Sequence, residues 1–189
     1  MQNQNQNILM LTISSVLIAV GVIIPMFSPV RIILEPASFT LASHVVIFVA
    51  MFISIKMAAA VSIGTTVGFF LGGFPIVIVL RAATHVIFAT IGAFYLHNVA
   101  KNRLSAVSLR VFSFVIGVIH GVCELIVVTF FYFGGNISPA HLEQGFFMSV
   151  FLLVGVGSVI HSMVDFEIAR IVVFPLKKQK TLAPMLVKC

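Results

Sequence analysis

The sequence has few charged residues and very few acidic ones. Lys and Arg number 11 and Asp and Glu only 5 among 189 residues, so that 8% of the chain is charged, and tryptophan is absent. A soluble domain uses about 25% charged residues to cover its surface. This scarcity of charge excludes a water-soluble globule.

Cysteine pairs and catalytic motifs are missing as well. The chain has two cysteines, Cys123 within an apolar run and Cys189 at the last position, which excludes a disulfide framework. No nucleophile elbow, HExxH motif, P-loop or dinucleotide-binding glycine pattern occurs. We therefore expect a protein that is not an enzyme, and any ATP-driven role would need a separate subunit.

Long apolar runs are what the chain has instead, since 60% of its residues are hydrophobic. A helix rises 1.5 Å per residue, so runs of about 20 residues cross the hydrocarbon core of a bilayer. We predict a single all-α integral membrane domain over residues 1–189, multi-pass in the cell membrane. The six predicted spans are about 8–26, 38–54, 57–73, 75–97, 106–133 and 145–174. The proline-containing stretch Ser28 to Ala37 is predicted to be an irregular connection.

The distribution of basic residues predicts the orientation of these spans. Cytoplasmic loops retain Lys and Arg, and placing the N-terminus in the cytoplasm leaves only Arg31 outside and Arg81 within a span. Both termini are then cytoplasmic, and a basic tail over about residues 175–189 faces anionic lipid headgroups and not nucleic acid. The basic residues predicted to be cytoplasmic are Lys56, Lys101, Arg103, Arg110, Arg170, Lys177, Lys178, Lys180 and Lys188.

Polar side chains within the spans are the candidates for function. A charge at the bilayer centre costs about 2.5 to 3.5 kcal/mol on insertion scales. Besides His44, these residues form pairs four apart, a spacing that places both members on one face of a helix. The pairs are Arg81 and His85, His120 and Glu124, and His161 and Asp165.

Two of these pairs are predicted to meet in the outer half of the bundle. At the helical rise, Arg81 lies roughly 9 Å and His85 roughly 15 Å below the outer end of the fourth span. In the fifth span, Glu124 lies roughly 13 Å and His120 roughly 19 Å below that end. We therefore predict a ligand site formed by these four residues, with Asn136 of the loop above as a cap.

The role of each charge leaves alternatives open. The guanidinium of Arg81 matches the carboxylate of an entering ligand, or it neutralises Glu124 in a structural pair, and the two roles are compatible. The deeper His161 and Asp165 are interpreted as structural, with Asp165 joining Glu167 and Arg170 in an ion pair at the cytoplasmic interface.

Four intramembrane histidines also raise the question of a metal. Metal sites usually show closely spaced ligands such as two histidines one turn apart on one helix, and no predicted span carries such a closely spaced pair. We therefore predict no metal site. In the first span, Ser15 and Ala19 are small residues four apart, which permit close approach of another helix, within this bundle or from another subunit.

Taken together, these features resemble the S component, the substrate-binding subunit, of energy-coupling factor vitamin transporters. The shared features are six spans in under 200 residues, cytoplasmic termini, the small pair in the first span and polar residues in the outer halves of the last three spans. The stretches Pro36 to His44 and Gly64 to Pro75 resemble those of the pantothenate or niacin members. The resemblance covers essentially the whole chain.

The resemblance implies a subunit that captures a vitamin from outside and delivers it by toppling when docked on a transmembrane coupling protein driven by two ATPases. It implies no cofactor in this chain, and contact of Ser15 and Ala19 with the coupling protein. It also implies a site closed by the loops 28–37, 72–74 and 134–144. We expect a small carboxylate vitamin, with pantothenate first and niacin second.

Two other classes of function stay open at this point. One is a membrane-embedded enzyme or proton-coupled carrier that uses Glu124, His120 and Asp165 as a relay. The other is a membrane scaffold that binds no small molecule.

Overall fold

A computed structural model describes residues 2–34, 37–100, 104–179 and 182–187 of the chain. Helices dominate, and one hairpin of two short strands interrupts them. The elements are α1 (Gln2–Phe27), β1 (Arg31–Leu34), β2 (Ala37–Thr40), α2 (Val45–Ile53), α3 (Ile55–Leu71), α4 (Ile76–Phe94) with a π-helical turn (Tyr95–Val99), α5 (Ala106–Phe133), α6 (Pro139–Glu143), a π-helical segment (Phe147–Val156) that continues into α7 (Gly157–Leu176), and a 3₁₀ turn (Ala183–Met185).

Four of the helical segments in the described part of the chain are long and apolar enough to cross a membrane. They are Gln4–Phe27, Ile76–Val99, Ala106–Phe133 and Phe147–Leu176, and they match the predicted spans 8–26, 75–97, 106–133 and 145–174. Helix α3 has 17 residues and is a shorter apolar helix. The structure thus bears out a helical membrane protein.

The helix found within the predicted span 38–54 is shorter than expected. Only α2, nine residues long, is helical there, and at 1.5 Å per residue it is about 14 Å long. It ends at Ser54, whose extended backbone breaks the helix and whose hydroxyl accepts the Met57 N–H to cap α3. Every residue of α2 is buried, as expected for a helix that is apolar on all sides.

The connection after α1 is a β-hairpin and not the irregular loop predicted above. Strands β1 and β2 pair antiparallel, with Arg31 opposite Thr40 and Leu34 opposite Ala37. The stretch is not helical, as expected, but the fold is not purely α. Glu35 and Pro36, which join the two strands, lie outside the described residues.

Aromatic rings form the centre of the core around α2. Phe48 packs against Phe88 and Phe166 at centroid distances of 5.6 and 5.3 Å. The chain after α7 folds back beneath this core, because the Val187 N–H donates to the Phe52 carbonyl at 2.9 Å. The bundle is therefore apolar at this level, and its buried charges lie elsewhere.

Helix α1 is largely exposed and packs against α3. Gly68 of α3 lies so close to α1 that an added Cβ would stand 2.2 Å from Val22 Cγ2. In contrast, Ser15 and Ala19 lie on the exposed face of α1, and the Ser15 hydroxyl donates to the Leu11 carbonyl at 2.9 Å. The small pair predicted in the first span is therefore exposed at the surface of the bundle.

The described basic residues of the predicted cytoplasmic set lie at one end of the bundle. Lys56 and Arg110 stand near the N-termini of α3 and α5, and Arg170, Lys177 and Lys178 lie towards and just beyond the C-terminus of α7. Lys101, Arg103, Lys180 and Lys188 lie outside the described residues. The orientation and the count of six spans remain predictions.

Candidate functional site

A cavity of about 460 Å³ opens at the other end of the bundle, where α1, α3 and α5 end and α4 begins. The segments that follow α1, α3 and α5 contribute to its walls, through Ala37, Phe74 and Ile137 among others. Its polar side chains come from the hairpin, from several helices and from the loop after α5. Those side chains are Ser38, Thr40, Ser43, His44, Thr65, Arg81, His85, Glu124, Asn136, Ser138 and His161.

A buried ion pair joins α4 and α5 at this cavity. Arg81 Nη2 donates to Glu124 Oε2 at 2.9 Å, and both side chains are less than a tenth exposed. The Ser158 hydroxyl of α7 donates to the same oxygen. Buried charges are stable only when paired and hydrogen-bonded, and this carboxylate is held from two helices through Oε2.

Histidines surround the second oxygen of the same carboxylate. His85 Nε2 lies 3.4 Å and His120 Nε2 3.3 Å from Glu124 Oε1. The His44 ring lies beside both, at centroid distances of 4.7 and 4.6 Å, and 5.0 Å from the ring of His161. Four histidines from four separate segments thus form one cluster.

Asp165 holds the segment that carries His44. Its carboxylate accepts the Ala42 N–H at 2.8 Å and the His44 N–H at 2.9 Å, and His44 Nδ1 lies 3.1 Å from Oδ2. Ala42 has φ of 68°, a left-handed conformation that costs an L-residue roughly 1–2 kcal/mol. The fully buried Asp165 offsets that cost by satisfying the backbone donors ahead of α2.

One comparison with known proteins identifies a relative. The chain is 39% identical over 168 residues to the niacin transporter NiaX of Lactococcus lactis subsp. cremoris (strain MG1363), which covers 89% of this chain and 74% of that protein. The chain belongs to the S components of energy-coupling factor vitamin transporters. It is therefore a multi-pass protein of the cell membrane. No profile of a known protein family and no solved structure matches it.

The structure of this S component brings together the polar residues predicted from helix spacing. Arg81, His85 and Glu124 line the cavity, and His120 lies directly behind them. Asn136 also lines the cavity, while its side-chain amide donates to the Gly134 carbonyl at 3.0 Å. Their role in binding a ligand stays a prediction.

The interpretation of Asp165 as part of an interfacial ion pair is wrong. Arg170 donates to both oxygens of Glu167 at 2.9 and 2.7 Å, three residues away on the surface of α7. Asp165 lies on another face, where it contacts the turn before α2. The spacing of the charges along the chain suggested that Asp165, Glu167 and Arg170 interact. Asp165 is buried, however, whereas Glu167 and Arg170 lie at the surface.

Sequence reasoning left several polar residues out of the predicted site. His44 and His161 line the cavity, and the Ser43 hydroxyl oxygen lies 3.1 Å from His161 Nε2. Ser158 contacts Glu124. A spacing of three and four residues from Ser158 through His161 to Asp165 marks one polar face of α7, and this pattern is the signal that could have found Ser158 and His161.

The site combines a polar floor with aromatic and aliphatic walls. Phe69 and Phe74 stack at a centroid distance of 4.8 Å, and Ile78 lies next to them along the wall. Ligand cavities of this kind bury a small molecule against apolar groups while a few polar side chains fix its orientation. The arrangement suits a small molecule with both polar and apolar parts.

Proposed function

We propose that this S component is the substrate-binding subunit of an ATP-driven uptake transporter for niacin. The observation that carries the proposal is the 39% identity, over most of the chain, to a protein named as a niacin transporter. That relative favours niacin, the second of the two vitamins expected from the sequence, and offers no support for pantothenate.

The residues that line the cavity suit nicotinate, the carboxylate form of niacin. Nicotinate is a flat aromatic ring with one carboxylate, and the guanidinium of Arg81 is the residue type that pairs with carboxylates in a bidentate manner. We expect the ring to lie against the stacked Phe69 and Phe74. Aromatic rings prefer such offset or edge-on contacts.

The topology we propose has six membrane-embedded helices, both termini in the cytoplasm and the cavity facing outside. The positions of Lys56, Arg110, Arg170 and Lys177 at the end away from the cavity support it, because basic residues concentrate on the cytoplasmic side. A vitamin taken up from outside then enters from the side to which the cavity opens.

The partners we propose are a transmembrane coupling protein and two ATPase subunits. The exposed face of α1 with Ser15 and Ala19 is the surface offered to the coupling protein. Small residues on an exposed helix face allow another helix to pack closely. The chain itself then needs neither ATP nor a catalytic residue.

Ligand binding by the purified full-length protein tests the proposed substrate. We expect tight binding of nicotinate by isothermal titration calorimetry and no binding of pantothenate. Arg81→Ala should abolish nicotinate binding, whereas Arg110→Ala, an exposed arginine at the opposite end, should leave it unchanged. Tight binding of pantothenate without nicotinate would contradict the proposal.

The close succession of polar groups from Glu124 through His120 and His44 to Asp165 also favours a second candidate, a proton-coupled carrier. Uptake in cells separates the two. Under our proposal, uptake of labelled niacin requires the ATPase partners and continues when a protonophore collapses the proton gradient. Uptake that stops with the protonophore and persists without the ATPases would favour the carrier.

A further inference from the structure

His120 is buried without a satisfactory partner for its ring. Its side chain is fully buried, and neither ring nitrogen makes a hydrogen bond with any group the structure describes. Nε2 is only close to Glu124 Oε1, at 3.3 Å. Buried polar groups are nearly always hydrogen-bonded, and the lone pair of this neutral imidazole is therefore available to a metal ion.

The carboxylate beside it is oriented towards the histidines. Arg81 and Ser158 both donate to Glu124 Oε2, which leaves Oε1 facing His85 and His120. The distances from Oε1 to the two Nε2 atoms are 3.4 and 3.3 Å. In the metal-free site His85 Nε2–H donates to Oε1, and a metal ion would replace that hydrogen bond once the ring proton moves to Nδ1. A tetrahedral Zn²⁺ with ligand bonds of 2.0–2.1 Å has edges of about 3.3–3.4 Å between its ligand atoms.

His44 is held in the tautomer that a metal needs. Its Nδ1 lies 3.1 Å from Asp165 Oδ2, and because an ionised carboxylate only accepts hydrogen bonds, Nδ1 carries the proton and Nε2 presents the lone pair. Metal-binding histidines commonly donate their other N–H to a carboxylate in this way. One ligand atom from each of His44, His85, His120 and Glu124 lies within 4.8 Å of the others.

We propose that His44, His85, His120 and Glu124 bind a divalent transition metal ion of the Zn²⁺ class at the floor of the cavity. Three neutral imidazoles and one carboxylate are ligands that Zn²⁺ and its first-row neighbours favour. The neighbouring group of His44, His161 and Asp165 is a weaker site, because the Asp165 oxygens already accept hydrogen bonds from the Ala42 and His44 backbone N–H groups.

The prediction of no metal site rested on the absence of two closely spaced histidines on one helix. The structure supplies instead one histidine each from the turn before α2, from α4 and from α5, and these three segments meet at one point. Spacing along a single helix carries no information about such a convergence.

The metal also gives the site the charge that an anionic ligand needs, an argument that depends on the proposed function. With neutral imidazoles, the described residues that line or adjoin the cavity place one cation, Arg81, against two carboxylates, Glu124 and Asp165. Nicotinate would add a third negative charge to a buried site, at a high cost. A divalent ion changes the net charge from minus one to plus one, and nicotinate then neutralises it.

The test is a metal titration of the full-length protein in detergent, purified without a histidine tag and stripped with a chelator. We expect Co²⁺ to bind at about one equivalent and to give the visible absorption of a four- or five-coordinate N/O site, and Zn²⁺ to displace it. The absence of such a spectrum in the wild-type protein would overturn the proposal, and this arm needs no variant.

Matched histidine variants locate the ion. His85→Gln and His120→Gln should each weaken Co²⁺ binding at least about tenfold, as loss of even a supporting contact does at metal sites. His97→Gln is the control, because His97 bonds to the Met51 carbonyl at 3.0 Å and is not in the cluster. Gel filtration verifies that each variant is folded. Unchanged binding in both cluster variants, or an equal loss in His97→Gln, would overturn the site.

Nicotinate is added only after the metal titration, so that the two proposals can fail separately. Tighter nicotinate binding by the loaded protein than by the stripped protein supports the role of the metal in ligand binding. Equal binding by both forms overturns that role. If neither form binds nicotinate, the proposed function fails, while the Co²⁺ titration still decides whether the metal site exists.

Discussion

Two arginine–glutamate pairs of nearly equal length lie in opposite parts of this molecule. Arg81 and Glu124 are 2.9 Å apart at the cavity, with side chains 6% and 4% exposed. Arg170 and Glu167 are 2.7 Å apart on the surface of α7, with side chains 29% and 48% exposed. The first pair joins residues 43 positions apart on two helices, and the second joins residues three apart on one helix.

The difference shows that the contribution of an ion pair to stability depends on its surroundings and not on its length. An exposed pair gains little because solvent already stabilises both charges. A buried pair gains little over an apolar pair, but removing one partner leaves an uncompensated charge and is very costly. Among the described residues, the buried pair is linked to further polar groups, Ser158 and the histidines, so that pair is part of a wider polar cluster.

Glu124→Ala tests the buried pair and should have the largest effect. It leaves Arg81 buried without its carboxylate, and we expect a loss of about 3–5 kcal/mol in the free energy of unfolding. Nicotinate binding should be lost as well. Unfolding in mixed micelles with increasing SDS measures the first effect, and calorimetry measures the second.

A double variant separates stability from binding. Replacing the pair by apolar residues of similar size, Arg81→Met with Glu124→Leu, should recover most of the lost stability, because neither charge is then buried alone. Nicotinate binding should stay absent. A double variant that is as unstable as Glu124→Ala would show that the pair is not what makes the single change costly.

The sequence alone predicted most of the long helices and half of the polar cluster. Arg81 with His85, and His120 with Glu124, were predicted to meet because a spacing of four and a similar depth are properties of single helices. Helix α5 has the predicted bounds, since its apolar run is long and ends at glycine. These features depend on local patterns and the thickness of a bilayer.

The rest depended on contacts that no local pattern carries. His44 reaches the site because Asp165, 121 residues away, accepts its backbone N–H. A backbone donor has no signature in the sequence, so Asp165 was assigned to the nearby Glu167 and Arg170 instead. Likewise the hairpin of β1 and β2 begins in the stretch that was predicted to be a loop. Strand pairing depends on tertiary contacts, so two four-residue segments do not predict it.

Asp165→Asn tests a carboxylate that accepts hydrogen bonds from the backbone, and we expect an intermediate effect on stability. The amide has one acceptor oxygen where two backbone N–H groups need acceptors, so one buried donor is left unsatisfied at a cost of roughly 1–3 kcal/mol. The displaced His44 should also weaken nicotinate binding. SDS unfolding and calorimetry measure the two effects.

Ser162→Ala is the matched control for Asp165→Asn. Ser162 lies on the same helix and is equally buried, but its hydroxyl has no hydrogen-bond partner among the residues the structure describes. We expect this change to leave stability and binding nearly unchanged. An equal loss in both variants would point to general disturbance of α7 and not to the contact between Asp165 and the turn before α2.

Glu167→Gln tests the exposed pair and should have the smallest effect. The change keeps the shape of the side chain and removes its charge, and exposed pairs contribute about 0.2–1 kcal/mol. The small difference should shrink further as salt is raised, because exposed charges are screened within about 10 Å at 0.1 M salt. Nicotinate binding should be unaffected, since Glu167 lies outside the cavity. If this variant lost as much stability as Glu124→Ala, burial would not be what distinguishes the two pairs, and the cavity pair would have no special role in stability.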